Sequence, residues 1–375
     1  MNLNLSSTVG KTVIAWVLAI AMPLVHAEIV IGQSASLTGA TASQGKDFRD
    51  GALAYFSKIN AKGGISGEKI RLETLDDGGK VEATKANSDK LIQSKDTLLL
   101  FGYTGRNSVV AGIEIAEKSR IAFVAPFTGG GQAYEPSYGV FTIRASYEDE
   151  IRTLVKQLAP LGITKIGLVY FSDDKAMTNK KAFEQAMSAI GKKPSVMTGI
   201  DREGKTVNEV VSTIAKTDTD AVIVIAQNKI LVDLTKGLRA AGSKAKTVTA
   251  SFANGSDLGK ELGREGMGMM QSQVVPLKKD VALVNEFHKD LKAFRPDLVP
   301  SFISQEGYIA ARVVVEALRK MNKNAANRRG EFVRAMESLN ELNISGYSLK
   351  FSPTDHNGSS YVELTMLRAD GSFAR

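Results

Sequence analysis

The segment Gly102-Tyr103-Thr104-Gly105-Arg106-Asn107-Ser108 joins an apolar run to a helix-like stretch, and its residue types are those of an anion site. Thr104, Asn107 and Ser108 can cap the helix, while the backbone N–H groups and dipole of a helix start attract negative charge. Arg106 adds a planar fork that takes a carboxylate through two parallel hydrogen bonds. The competing reading is a surface arginine paired with an acid elsewhere. Three further groups of polar loops follow strand-like runs: residues 36–44, then Pro126-Phe127-Thr128-Gly129-Gly130-Gly131, then 171–174 with Gln227-Asn228 and 251–254. In an open parallel sheet, ligands bind at the carboxyl ends of strands where strand order reverses. All four groups are therefore expected to face one site.

Other chemistry is thinly represented. The sequence has no Walker A loop, no G-x-S-x-G elbow and no G-x-G-x-x-G; Gly129-Gly130-Gly131 lacks both the spacing and the helix that should open on it. Beyond His26 there are only His288 and His356, with no cysteine beside them, which argues against zinc. Asp76-Asp77 and Asp173-Asp174 sit at strand ends. They could serve acid–base chemistry or calcium, but turn formation and helix capping are the commoner use.

The elements that must position these loops alternate β-branched runs with amphipathic stretches. Strands are expected at 29–32, 70–75, 98–101 and 121–125, with helices at 44–59, 81–92 and 107–118 between them. A second series starts after 140–143. Its helices are expected at 147–158, 176–190, 207–215, 230–241 and near 257–262, its strands at 166–170, 196–199, 221–225 and 247–249. The tail departs from this pattern. A strand at 267–275 leads to Pro276, then come helices at 281–294, 302–321 and 329–339, then strands at 348–351 and 361–367.

The N-terminus reads as an export signal: a polar start with Lys11, an apolar stretch at 12–25 interrupted by Pro23, and Val25-His26-Ala27 at the cleavage position. Glu28 then opens the mature chain, which is expected in the periplasm. The 375 residues include no cysteine, so stability must come from large cores rather than disulfides. The net charge is +8, or +7 once Lys11 leaves. Basic residues are spread evenly, and clusters such as Lys278-Lys279 and 320–329 read as solvated helix ends, not as a nucleic-acid surface.

Asn60-Ala61-Lys62-Gly63-Gly64-Ile65-Ser66-Gly67-Glu68-Lys69-Ile70, followed by Asp76-Asp77, closely resembles the leucine/isoleucine/valine-binding proteins of branched-chain amino-acid ABC transporters. So do Ser36-Leu37-Thr38-Gly39 with Gly45, Gly102, and 121–126, and the likeness runs from about Glu28 to the C-terminus. Arg144-Ala145-Ser146-Tyr147 with Asp149-Glu150 is similar to one branch of that family. The resemblance implies the α/β type I periplasmic binding protein fold, two doubly wound parallel-sheet lobes joined by a three-strand hinge. After a signal peptide at 1–27, lobe one would comprise 28–145 plus 276–345 and lobe two 146–275 plus 346–375, with crossings near Ala145, Val275 and Gly346. It further implies a monomer that binds a small molecule by lobe closure and presents it to an inner-membrane ABC permease, without catalysis, cofactor or nucleic acid.

Family members hold the ligand carboxylate with a Ser/Thr hydroxyl and backbone N–H groups in the second and third loops. Those places fall here near Arg106-Asn107 and Phe127-Thr128-Gly129. Gln44 stands roughly where an aromatic residue packs on the ligand, and Lys175-Ala176-Met177 where a tyrosine-glycine pair is usual. A second-lobe glutamate pairs with the ligand ammonium in the amino-acid binders, but Ala250-Ser251-Phe252-Ala253 holds no acid. Burying an unpaired ammonium costs several kcal/mol. The expected ligand is therefore an organic carboxylate, aromatic or aliphatic, rather than an α-amino acid. Its expected contacts are Gln44, Tyr103, Thr104, Arg106, Asn107, Phe127, Thr128, Tyr147, Gln227 and Phe252, with Tyr103, Phe127 and Phe252 on its apolar body. A ligand sensor of the same fold, a true branched-chain amino-acid binder and an exported hydrolase remain alternatives.

Overall fold

The chain opens on β1 (Glu28–Ala35), an apolar run buried on both faces, as expected of a strand inside a parallel sheet. The structure, a computed structural model, describes residues 1, 28–172, 177–253, 255–278 and 280–374. Residues 2–27 of the expected leader, Asp173-Asp174, Lys175-Ala176, Asn254 and Lys279 lie outside the described residues. β1 is joined by β2 (Lys69–Asp76), β3 (Thr97–Phe101), β4 (Ala122–Val124) and β5 (Val140–Phe141) in a parallel sheet of order β2-β1-β3-β4-β5. Helices α1 (Ala42–Ala61), α2 (Val81–Gln93) and α3 (Arg106–Ser119) connect its strands. The run at 140–143, after which the second series was expected to start, supplies β5, the edge of the first sheet, parallel to β4.

The second sheet repeats the arrangement. Here α4 (Tyr147–Leu158), β6 (Ile166–Phe171), α5 (Met177–Ala189), β7 (Met197–Ile200), α6 (Val207–Ala215), β8 (Ala221–Val224), α7 (Asn228–Ala240), β9 (Lys246–Thr249), α8 (Gly255–Leu262) and β10 (Met270–Gln273) follow in turn. Parallel strands run β10-β9-β8-β6-β7, the same order as in the first sheet. α4 begins on a reciprocal cap in which Ser146 and Asp149 satisfy each other's backbone N–H.

The tail returns to the first sheet. α9 (Ala282–Phe294), α10 (Phe302–Lys320) and α11 (Arg328–Glu337) contribute Leu283, Phe287, Tyr308, Val313 and Phe332 to the core under β1 and β3. Two glycines let α1 and α10 meet backbone to backbone: a Cβ on Gly51 would overlap the Ser304 carbonyl oxygen, and one on Gly307 that of Phe48. β11 (Asn340–Ile344) and β12 (Tyr347–Phe351) then form a hairpin.

That hairpin alters where the chain crosses. Gly346 was expected to mark the last crossing, but with φ of +95° beside Ser345 at +50° it forms the tight two-residue turn between β11 and β12. β12 stays in the first core, Phe351 against Phe141 at 6.0 Å. The second sheet receives the chain only at β13 (Glu363–Leu367), antiparallel to β10, followed by β14 (Phe373–Ala374). One hydroxyl touches all three crossings: Tyr347 Oη lies 3.4 Å from the Ile143 carbonyl, 3.2 Å from that of Val274 and 2.9 Å from Ser359 Oγ.

Candidate functional site

In each sheet the strand order reverses at its first strand, β1 or β6, so the loops after β1, β3, β6 and β8 converge on one crevice. A cavity of about 240 Å³ lies there between the two sheets. Seven of the ten expected residues line it: Thr104, Arg106, Asn107, Thr128, Tyr147, Gln227 and Phe252.

Arg106 owes its position to Gly105. That glycine is the N-cap of α3, at φ +88° and ψ 135°, a backbone shape that side chains strongly disfavour. The expected capping by neighbouring side chains does not occur. Thr104 Oγ1 instead accepts from Ser36 N at 3.2 Å, and Thr84 Oγ1 donates to Ser108 Oγ at 2.8 Å. The first turn of α3 is thus aimed at the cavity without a protein side chain as its cap, and Arg106 lies beside Gly130 of the third loop. The second and third loops are tied to each other by Phe127 N donating to the Tyr103 carbonyl at 2.9 Å.

The side chains of the two residues so tied, Tyr103 and Phe127, both turn inward. Tyr103 is fully buried, its ring 4.9 Å from Phe123 and its hydroxyl 3.0 Å from Ser88 Oγ; burial pushes its phenol up. Phe127 is also fully buried, edge-on to Phe48 at 5.6 Å. Both belong to the first lobe's packing rather than to the cavity wall. Gln44 lies just outside the wall. Its Nε2 donates to the Phe252 carbonyl at 2.9 Å, a hydrogen bond from α1 of one lobe to the loop after β9 of the other.

Tyr147 bridges the lobes. Its backbone N donates to the Gly129 carbonyl at 2.8 Å, its ring covers Gly129, where a Cβ would collide with it, and Phe252 meets it edge-on at 6.3 Å. Burial pushes its phenol up to about 12. The opposite wall comes from Leu168, Tyr170, Phe171 and Ile225 of β6 and the loop after β8. Arg202, 4.3 Å over the Phe171 ring, was missed by sequence reasoning, because only the pairing of β6 with β7 brings its loop to the crevice.

The charge pattern of the second lobe is distinctive. Glu150 on α4 is buried next to Ser251, and its carboxylate is committed away from the cavity. It accepts from Ser251 N at 2.7 Å, Ser251 Oγ at 2.9 Å and Ser272 Oγ at 2.5 Å, and pairs with Arg144 at 3.4 Å. Arg144 also hydrogen-bonds Ser251 Oγ and reaches Glu306 of α10 at 3.5 Å. No aspartate or glutamate lines the cavity among the described residues, whereas Arg106 and Arg202 do. Asp76 and Asp77 act as loop anchors. Asp76 accepts from Leu37 N, Thr38 N, Thr38 Oγ1 and Gly78 N; these donors outweigh a desolvation that works against them and hold its carboxyl at about 2.

A family model described as Periplasmic binding protein matches residues 28–372. Leu/Ile/Val-binding protein homolog 8 of Brucella abortus (strain 2308) is 22% identical, over 88% of this chain and 86% of that protein. An amino acid binding protein of Pseudomonas aeruginosa is 24% identical over 52% of this chain, which spans about half, 53%, of that relative's length. The crystal structure of a possible leucine/isoleucine/valine-binding protein from Rhodopirellula baltica SH 1 superposes with a TM-score of 0.85 at 26% identity, covering 94% of this chain and 97% of that one. The superposition extends over nearly the whole of both chains, so that structure shares this fold. The chain belongs to the periplasmic binding protein family, in its leucine/isoleucine/valine-binding, type I branch.

Proposed function

We propose that this protein captures a small organic carboxylate in the cleft between its lobes and delivers it, in the periplasm, to the permease of an ABC transporter. The observation that carries the ligand class is the distribution of charge around the cavity. Arg106 and the start of α3 face it, while no carboxylate among the described residues does. Glu150, the second-lobe acid nearest to Ser251 and Phe252, is spent on Arg144 and two serines. Among the described residues an ammonium group would find no anion there to replace its lost water, at a cost of several kcal/mol. A carboxylate meets a fork donor and a helix dipole instead. Tyr147, Phe171, Ile225 and Phe252 suit an apolar body of modest size. Contacts from both lobes favour the closed form, and that difference in affinity is all that closure requires.

Differential scanning fluorimetry against a panel of amino acids and aliphatic and aromatic carboxylates tests the reading. A rise in melting temperature with one or more carboxylates and none with leucine is expected. A large rise with leucine and none with any carboxylate would overturn it.

A further inference from the structure

A buried charge cluster at the hinge lies outside the lining of the cavity. Arg144 lies on the first crossing, Glu150 on α4 of the second lobe and Glu306 on α10 of the first. Their exposures are 1%, 0% and 4%, so two carboxylates share one guanidinium out of reach of solvent. Their shares are unequal. Glu150 has three further donors from Ser251 and Ser272, whereas Glu306 receives the long Arg144 Nη1 contact of 3.5 Å. With both acids ionised the cluster holds one negative charge in excess, and low-dielectric surroundings disfavour that state.

Burial pushes the Glu306 carboxyl up to about 7; Arg144 opposes this and Glu150 adds to it. Among the described residues, the other titratable groups around the cluster are phenols. Tyr134 donates to the carbonyls of Arg144 and Ala145, Tyr147 heads α4, and Tyr347 holds the three crossings. Burial pushes all three up, so they stay neutral while Glu306 titrates.

We propose that the protonation of Glu306 sets the balance between open and closed lobes, so that ligand is held more tightly as the medium becomes more acidic. The consequence for ligand rests on the binding reading above; the cause rests on the hinge alone. Arg144 of the first crossing reaches Glu306 and Glu150 of the second lobe acts on it, so parting the lobes would admit water to its carboxyl. Its proton affinity then falls toward that of an ordinary glutamate, 4.5. Protons bind more firmly to the closed form and so favour closure. The advantage is complete below the open-form value and is lost as pH rises through about 7. If opening hydrates the carboxyl fully, the closed-to-open ratio rises about 30-fold between roughly pH 8 and pH 5.5. The Arg144 contact, taken alone, would suggest the opposite sign, but it is outweighed by burial and by the second carboxylate.

The chain contains no cysteine, so one introduced in each lobe, Lys85→Cys and Glu209→Cys, allows specific labelling for inter-lobe FRET. Measured without ligand from about pH 5 to about pH 8.5, the closed fraction of the wild type is expected to rise on acidification. Glu306→Gln is expected to hold the acid-like distribution at every pH. A wild-type distribution that ignores pH, or a Glu306→Gln variant that keeps the wild-type response, overturns the proposal. Should that variant fail to fold, carboxyl 13C NMR of the wild type decides: a glutamate titrating near 7 is expected, and none above about 5.5 overturns it. Failure of every carboxylate and amino acid to bind at any pH would sink the ligand reading while the FRET response still reported on the hinge.

Discussion

Gln44 Nε2 lies 2.9 Å from the carbonyl oxygen of Phe252, and this hydrogen bond ties α1 of the first lobe to a cavity-lining loop of the second. It can exist only while the lobes are together. Gln44→Ala is therefore expected to weaken ligand affinity about fivefold, the worth of one ordinary hydrogen bond of about 1 kcal/mol. The loss should fall on the dissociation rate, with association nearly unchanged. Stopped-flow binding separates the two, and an unaltered dissociation rate would remove Gln44 from the closure mechanism.

Arg106 is expected to separate charge from shape. Arg106→Ala should weaken carboxylate binding about 50-fold, since charge-assisted hydrogen bonds contribute about 1.5–3 kcal/mol. Arg106→Lys keeps the charge but loses the fork, and should fall between that variant and the wild type. Isothermal titration with whichever carboxylate gives the largest thermal shift provides the measurement. Equal affinities for all three proteins would place the ligand elsewhere in the cleft.

Gly105 carries a cost of a different kind. Nothing lies within 4 Å of the place a Cβ would take, so Gly105→Ala meets no steric neighbour and registers only the strain of φ +88°. A loss of about 2 kcal/mol in unfolding free energy is expected, together with weaker binding as the start of α3 shifts. Denaturant unfolding and titration of the same variant check both.

Tyr347→Phe removes a hydroxyl that touches all three crossings while leaving the ring in the first core. The expected loss of stability is about 1–2 kcal/mol, chiefly from carbonyls left without their donor. The inter-lobe FRET distribution should broaden at every pH, unlike the pH-specific effect expected of Glu306→Gln.

Local signals strong enough to survive in any context were legible from the residues alone. α4 and α6 have the bounds their apolar spacing dictates, Tyr147–Leu158 and Val207–Ala215, and α4 also carries a reciprocal side-chain cap. β11 was not legible, because Asn-Glu-Leu-Asn-Ile is mostly polar and exposed and becomes a strand only through its pairing with β12. Gly346 looked like a crossing and proved to be the turn of that hairpin. Ser36, Arg106, Thr128, Phe171, Gln227 and Phe252, from the polar loops singled out in the sequence, line the crevice, since strand ends in a doubly wound sheet leave little choice. Side-chain direction within them was another matter. Tyr103 and Phe127 turn into the core because the hydrogen bond between their backbones orients both loops, a contact between residues 24 positions apart that neither loop announces. Glu150 stood out with Arg144 only as part of a stretch similar to one branch of the family, and only the fold shows the two paired and brings Ser251 and Ser272 around them.

The backbone contact of α1 with α10 has a consequence for the order of assembly. Gly51 and Gly307 are brought together from opposite ends of the chain, and Tyr55, on the same helix as Gly51, packs on Tyr308 at 5.2 Å. A ribosome-bound chain that has not yet emitted residues 302–320 cannot cover that face of α1, so the first lobe stays incomplete through most of synthesis. The second lobe's parallel strands, all supplied by residues 166–273, meet no such delay. Contacts between distant segments form slowly because a long loop must first be closed. The lobe that begins the chain is thus expected to keep an uncovered core through most of synthesis, and a nascent chain stalled near residue 300 should expose apolar surface that chaperones recognise.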